Sequence, residues 1–198
     1  KRKRKEKGKR KRCWISGCGL FRWKRESDCS LKMAAEKQRR VIFLDVDGVL
    51  VSSRCLTFDY EDTDETLYHP DPRFTYMAPL EIYALNSLKT IVSSMEGVEI
   101  CISSTWRIES ELMNYLSRAF RAYGLDKYVV GCTPTLSFGR GDEIREWLIK
   151  EAQKTEKGTI VGFVVIDDAH VESINHSLPK GHFVQTLLKG GGVELAKE

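Results

Sequence analysis

The most constraining feature of this chain is Val41-Ile-Phe-Leu44, an unbroken apolar run that stops abruptly at Asp45-Val-Asp-Gly48. A run with no alternation offers no face to water, so it predicts a strand covered on both sides. Two further strand-like stretches end the same way, in polar residues. Val98-Glu-Ile-Cys-Ile102 ends in Ser-Ser-Thr, and Val161-Gly-Phe-Val-Val-Ile166 ends in Asp167-Asp168. Residues 128–130 and 182–185 read as shorter strands. Between them, apolar residues recur at helical spacing. Leu85, Leu88, Ile91, Val92 and Met95 follow Pro79, which can open a helix, and precede Gly97, which can end it. Ile108, Leu112, Tyr115, Leu116, Ala119 and Phe120 form a second stripe, capped by Ser104 or Thr105 and closed by Gly124. Ile144, Trp147 and Leu148 form a third, capped by Asp142. Alternating strands and helices predict an α/β fold: a Rossmann-like three-layer αβα sandwich with a mainly parallel sheet. Residues 51–78 are polar and aperiodic and predict a loop or flap, with at most a hairpin around residues 55–58. No internal repeat is visible.

Charge divides the chain in two. Residues 1–32 carry 14 Lys/Arg against 3 Asp/Glu, whereas residues 33–198 carry 18 against 25, so the overall +4 conceals an acidic body. Ten of the first twelve residues are basic, and such a run repels itself and cannot pack. It reads as a disordered extension, as a nuclear-import or nucleic-acid arm, or as leader sequence ahead of Met33 that is absent from the mature protein. Residues 1–32 are therefore set apart from a domain over 33–198, and no part of the mechanism is assigned to them. The sequence reaches Glu198 without a clear closing helix, so a fragment is expected. Residues 13–23 lack the apolar run of a secretory signal, and no stretch is long enough to span a bilayer. The six cysteines form no CxxC pair. A zinc site at Cys13, Cys18 and Cys29 has poor spacing, so free thiols in a reducing compartment are expected. The expected location is intracellular: cytoplasmic, or nuclear if the basic segment acts. No membrane association and no stable protein partner are expected.

In open parallel sheets, ligands sit beyond the carboxyl ends of the strands. Asp45, Asp47, Ser103, Ser104, Asp167 and Asp168 should therefore share one crevice. Four carboxylates there would repel unless a cation neutralised them, and hard oxygen donors suit Mg2+. Gly48 lets the chain turn sharply behind Asp45.

Phe43-Leu-Asp-Val-Asp-Gly-Val-Leu50 resembles the first motif of the haloacid dehalogenase-like (HAD) superfamily. Ile102-Ser-Ser-Thr105 resembles the second motif, and Val165-Ile-Asp-Asp168 the fourth, all in the family's order. The resemblance covers 41 to about 186. It implies a magnesium-dependent phosphatase or phosphotransferase in which Asp45 attacks phosphorus, giving an aspartyl-phosphate. By the same resemblance Asp47 protonates the leaving alcohol and then activates water. Asp45, Asp167, Asp168 and the Val46 carbonyl would hold the metal. Ser103 or Ser104, at the turn after the second strand, would bind phosphate, with Gly48 in the same phosphate-binding set. Arg140 would supply the cation of the third motif, with Lys157 as the alternative. Ser-Ser-Thr-Trp-Arg107 and the later Gly-Arg-Gly-Asp-Glu-Ile144 resemble more narrowly the HAD domain of Swiss-army-knife RNA repair proteins. Arg107 then either grips a substrate phosphate or pairs with an internal acid while Trp106 packs in the core. His170 reads as a surface loop histidine. The acidic stretch 59–65 reads as a solvated loop, since it lacks the spacing of a calcium loop.

Gly48 and Val98 are separated by 49 residues, too few for a large helical cap beside the helix that follows Pro79. A minimal cap implies an open site, which in this family goes with large substrates. A polynucleotide-end phosphate, RNA or DNA, is the expected substrate. A phosphoprotein or a small phosphorylated metabolite is the alternative, and a non-catalytic phosphate-binding HAD module is the rival of another class. A dehalogenase would lack the second Asp of Asp45-Val-Asp47, and a receiver-type domain would show a single acceptor Asp.

Overall fold

The computed structural model describes residues 37–52, 55, 65–70 and 77–186. The basic segment, the three cysteines within it, most of the acidic stretch and the expected hairpin beyond Cys55 lie outside these residues. The predicted apolar runs become five strands of one parallel sheet: β1 (Gln38–Leu44), β4 (Val98–Ile102), β5 (Val129–Cys132), β6 (Thr159–Asp167) and β7 (Phe183–Gln185). Their order is β5-β4-β1-β6-β7. β2 (Leu67–Tyr68) and β3 (Leu80–Glu81) form a separate antiparallel pair.

Among the described residues, four helices cover the sheet: α1 (Ile82–Ser94), α2 (Ser110–Tyr123), α3 (Arg140–Ala152) and α4 (Val171–Ser177). The sheet residues show which face each helix takes. Ile42, Leu44, Ile100 and Ile102 pack with Leu85, Leu88 and Val92 of α1 and with Leu116, Ala119 and Phe120 of α2. Val41, Phe43, Cys101 and Val165 point the other way, against Ile144 and Trp147 of α3 and Ile174 of α4. The rings of Phe43 and Trp147 meet edge to face at 5.2 Å. Successive residues of one strand thus feed two cores, which is why Val41–Leu44 of β1 and Ile100–Ile102 of β4 are apolar without alternation. The fold is the expected Rossmann-like three-layer αβα sandwich.

Several local expectations change. Pro79 precedes β3 rather than opening α1, which begins at Ile82. Ile91, Met95 and Ile108 lie exposed, because the sheet covers less of α1 than the full apolar stripe and Ile108 belongs to a short 3-10 turn before α2. Asp142 sits inside the first turn of α3, with Gly139 at the cap position. The strand pair β2–β3 lies where a loop is expected. It is fastened by the Glu81 amide donating to the Leu50 carbonyl and by Tyr68 set edge-on to Tyr123.

Topology locates the functional edge. From β1 the chain steps to β4 and β5 on one side, then returns across the sheet to β6 and β7 on the other. Strand order therefore reverses at β1, the place where an open α/β sheet leaves a crevice at its carboxyl end.

Candidate active site

The sheet ladder continues one residue past the apolar strands. The Asp45 amide donates to Ile166 O at 2.9 Å, Ser103 to Leu44 O at 2.8 Å, Thr133 to Ile102 O at 3.0 Å and Thr186 to Asp167 O at 3.1 Å. The first polar residue after each run is thus held in sheet register, where backbone position varies least. Asp45, Ser103, Thr133 and Asp167 are all buried there.

The carboxylates of Asp45, Asp167 and Asp168 come together, with one oxygen from each lying within 4.8 Å of the others. Asp45 and Asp167 are 122 residues apart in sequence, so the convergence is a product of the fold. Arg140 enters from the start of α3. Its Nη1 lies 3.9 Å from Asp45 Oδ1 and 3.5 Å from Ser103 Oγ, and its Nε lies 3.7 Å from Asp167 Oδ2. Arg140 has this reach because the glycines on either side of it let α4 approach. A Cβ at Gly139 would stand 2.1 Å from Ser173 Oγ, and one at Gly141 2.2 Å from the Ser173 carbonyl oxygen. Ser173 Oγ also accepts the Gly141 amide at 3.0 Å.

Burial pushes the Asp45 carboxyl up to about 6; the Asp167 charge adds to this, while Arg140, the Ser104 hydroxyl and the Val46 amide oppose it. Burial, then the charges of Asp167 and Asp47, also raise Asp168. Asp167 Oδ1 accepts the Ala169 amide at 2.9 Å, whereas its buried Oδ2 has no hydrogen-bond donor among the described residues. A buried carboxylate oxygen without a donor is costly, and three converging carboxylates more so. An all-oxygen donor set with this surplus of negative charge fits a small hard cation such as Mg2+. Gly48 is part of the fit: with φ at 71°, a Cβ there would overlap the Asp168 carboxyl, 2.3 Å away. The Gly48 carbonyl accepts from Thr186 Oγ1 at 2.9 Å, and Gln185 Nε2 holds the Asp168 carbonyl at 3.1 Å.

The two serines separate by partner. Ser103 Oγ faces Arg140, while Ser104 bonds Asp45 and accepts the Trp106 amide at 3.3 Å, capping the short turn before α2. Three expectations are corrected. The Val46 carbonyl receives the amides of Val49, Leu50 and Val51 at 2.8–3.2 Å, so its lone pairs are spent inside the turn and not on a metal. Arg107 is held by Glu143 Oε1 at 2.6 Å and by the carbonyls of Ser104 and Pro134. The internal ion pair is thus the reading realised for it, and its guanidinium is not free to grip a phosphate. Lys157 pairs with Glu151 near the start of β6, at the far end of the sheet from the carboxylates. His170 is exposed just before α4, as expected of a surface histidine.

One contact was not foreseen. Trp106 is buried in the α1–α2 core, yet its indole Nε1–H points at Asp47, 3.1 Å from Oδ1 and 3.0 Å from Oδ2. The one signal for it was its position, three residues after Ser103 on the turn that follows β4.

A parallel sheet with order reversed at β1, and acids ending β1 and the neighbouring β6 around one arginine, defines a HAD-like domain. The chain belongs to the family described as the HAD domain in Swiss Army Knife RNA repair proteins, which it matches over residues 41–191. Membership supports a HAD-type phosphoesterase in general. Compared with curated proteins and with solved structures, the chain finds no match. Among the described residues, no helix is long and apolar enough to cross a membrane.

Proposed function

We propose that this chain is a magnesium-dependent phosphoric-monoester hydrolase that works through an aspartyl-phosphate on Asp45. The observation that carries the reading is the convergence of Asp45, Asp167 and Asp168 around Arg140. Asp45, Asp167 and Asp168 would hold Mg2+, which supplies charge neutralisation for the phosphoryl oxygens.

The protein's own residues do the rest. Arg140 and the Ser103 hydroxyl receive the phosphate. Arg140 also favours the charged form of Asp45, the form that can attack. An Asp45 oxygen bonds to phosphorus as the bond to the leaving alcohol breaks, and Asp47 gives that alcohol its proton. Water then attacks the phosphorus of the aspartyl-phosphate, Asp47 takes a proton from it, and the Asp45 carboxylate and inorganic phosphate are released. Splitting the transfer in this way replaces one difficult displacement with two easier ones. Ser104 and the Val46 amide orient the Asp45 carboxylate. A phosphotransferase would follow the same first step with another acceptor in place of water.

The substrate is a polynucleotide-end phosphate. Support comes from the family's description as a domain of RNA repair proteins. The acidic body makes general phosphate-backbone affinity weak, so recognition would rest on the terminal phosphate.

The test is hydrolysis of an aryl phosphate with and without Mg2+, beside Asp45→Asn, followed by a panel of RNA 3′- and 5′-phosphates, phosphopeptides and sugar phosphates. Metal-dependent turnover abolished by Asp45→Asn is expected, with a phosphoryl group trapped on Asp45 by mass spectrometry. Equal turnover across the panel would remove the polynucleotide assignment. Activity surviving in Asp45→Asn would remove the mechanism.

A further inference from the structure

We infer that Trp106 is a positioning residue for Asp47, tying the acid–base group to the turn that receives phosphate. The inference rests on the phosphatase reading above.

Asp47 is exposed, on the loop just after β1. An exposed aspartate ordinarily samples several rotamers. A group that must give a proton to the leaving oxygen, and later take one from water, loses rate whenever it points elsewhere. Trp106 is fixed where Asp47 is not. Its side chain is 6% exposed, its amide is anchored on Ser104 Oγ, and its ring lies 6.2 Å from that of Tyr115. Tyr115 is in turn fastened through its hydroxyl to the Ala78 carbonyl at 3.2 Å. The single indole N–H sits between both oxygens of Asp47, at 3.1 and 3.0 Å. A shared donor of this kind fixes the direction of the carboxylate. It satisfies one side of each oxygen and leaves the remaining lone pairs for the reacting proton. Indole is a donor only, so it cannot compete for that proton.

Sequence position adds the mechanical link. Trp106 follows Ser103 and Ser104, and its backbone amide is bonded to Ser104, which also contacts Asp45. The turn that receives phosphate, the attacking carboxylate and the acid–base carboxylate are thus joined through one short segment. A core tryptophan needs a hydrogen-bond partner for its N–H, but that need alone does not select the second Asp of the motif.

The test is Trp106→Phe, which keeps a buried aromatic ring and removes the donor, assayed on 4-nitrophenyl phosphate and on an alkyl phosphate. A good leaving group needs little protonation and a poor one needs much. The expected loss in kcat is therefore modest on the aryl ester and about 10- to 100-fold on the alkyl ester, with KM little changed. In an Asp47→Asn background, Trp106→Phe should add nothing further. Without reference to turnover, the Trp106 indole N–H resonance should move and exchange faster in Asp47→Ala. Equal losses on both esters, additivity with Asp47→Asn, or an indole resonance indifferent to Asp47 would each overturn the inference. Hydrolysis that survives Asp45→Asn overturns the phosphatase reading itself, a result distinct from any of these.

Discussion

At the scale of single residues, the site depends on atoms that are missing as much as on those present. Gly48 has no Cβ because the Asp168 carboxyl occupies that space, and its positive φ is one that side-chain-bearing residues adopt at a cost. Gly48→Ala should therefore lose Mg2+ affinity, read by isothermal titration, together with hydrolysis. Gly124 is the control. It closes α2 at φ 66°, and among the described residues nothing lies within 4 Å of where a Cβ would stand. Gly124→Ala should cost only about 1–2 kcal/mol of stability in urea titrations and leave kcat intact. Arg140 is the opposite case, a charge that must be present. Arg140→Met removes the guanidinium that lies beside Asp45 and Asp167. A fall of about 10²–10³-fold in kcat/KM is expected in steady-state assays, the scale seen when one preorganised donor at a reacting charge is removed.

At the scale of elements, α3 and α4 act together to aim one side chain. The close passage of Ser173 over Gly139 and Gly141 sets how deeply the start of α3 sits, and so where Arg140 reaches. A methyl group at Gly141 meets backbone, which cannot swing aside as a side chain can. Gly141→Ala should destabilise the protein by about 1–3 kcal/mol, the usual cost of overpacking, and lower kcat/KM as Arg140 withdraws. Circular dichroism melts and kinetics on the same preparation check both. The Arg107–Glu143 pair does similar work between the β4 turn and α3, with Glu143 also accepting the Leu136 amide at 3.1 Å.

At the scale of the whole molecule, the two ends of the sheet carry opposite electrostatic problems. The carboxyl end gathers acids. Mg2+ should therefore raise the melting temperature beyond what Na+ does at equal ionic strength. That gain should vanish in an Asp167→Asn/Asp168→Asn variant, as binding to the native state alone requires. The other end buries Arg39, which bonds Glu99 at 2.8 Å and Glu151 at 3.0 Å and so ties β1 to β4 and α3. Burial raises the Glu151 carboxyl, but hydrogen bonds from Lys154 and Arg39 and the charge of Lys157 outweigh it and bring it below the usual value. A carboxyl lowered by folding stabilises the protein above its unfolded pKa, and that stability is lost as pH falls through the folded value. Acidification below the ordinary glutamate range should thus weaken the fold. Arg39→Met should cost about 3–5 kcal/mol at neutral pH and shift the onset of acid unfolding upward, read from urea titrations across pH.

Much of this was legible in the sequence, for a local reason. A buried parallel strand must be apolar on both faces, and a ligand crevice must be polar where the strand ends. Both demands fall on neighbouring residues, so Phe43-Leu-Asp-Val-Asp, Ile102-Ser-Ser and Ile166-Asp-Asp each display strand and site in a single stretch. The sandwich, its sheet and the acidic cluster follow from that. What the sequence left open were pairings between distant residues. Trp106 meets Asp47 across 59 positions, Arg107 meets Glu143 across 36, and Arg39 meets Glu151 across 112. No periodicity records such a pair, because each partner alone is also consistent with a core or surface role. The Val46 carbonyl shows the same limit at short range, since the path of the turn decides where a backbone oxygen points. Tertiary structure decided these matters because hydrogen bonds and ion pairs depend on distances of a few ångströms between chain segments, which only packing sets.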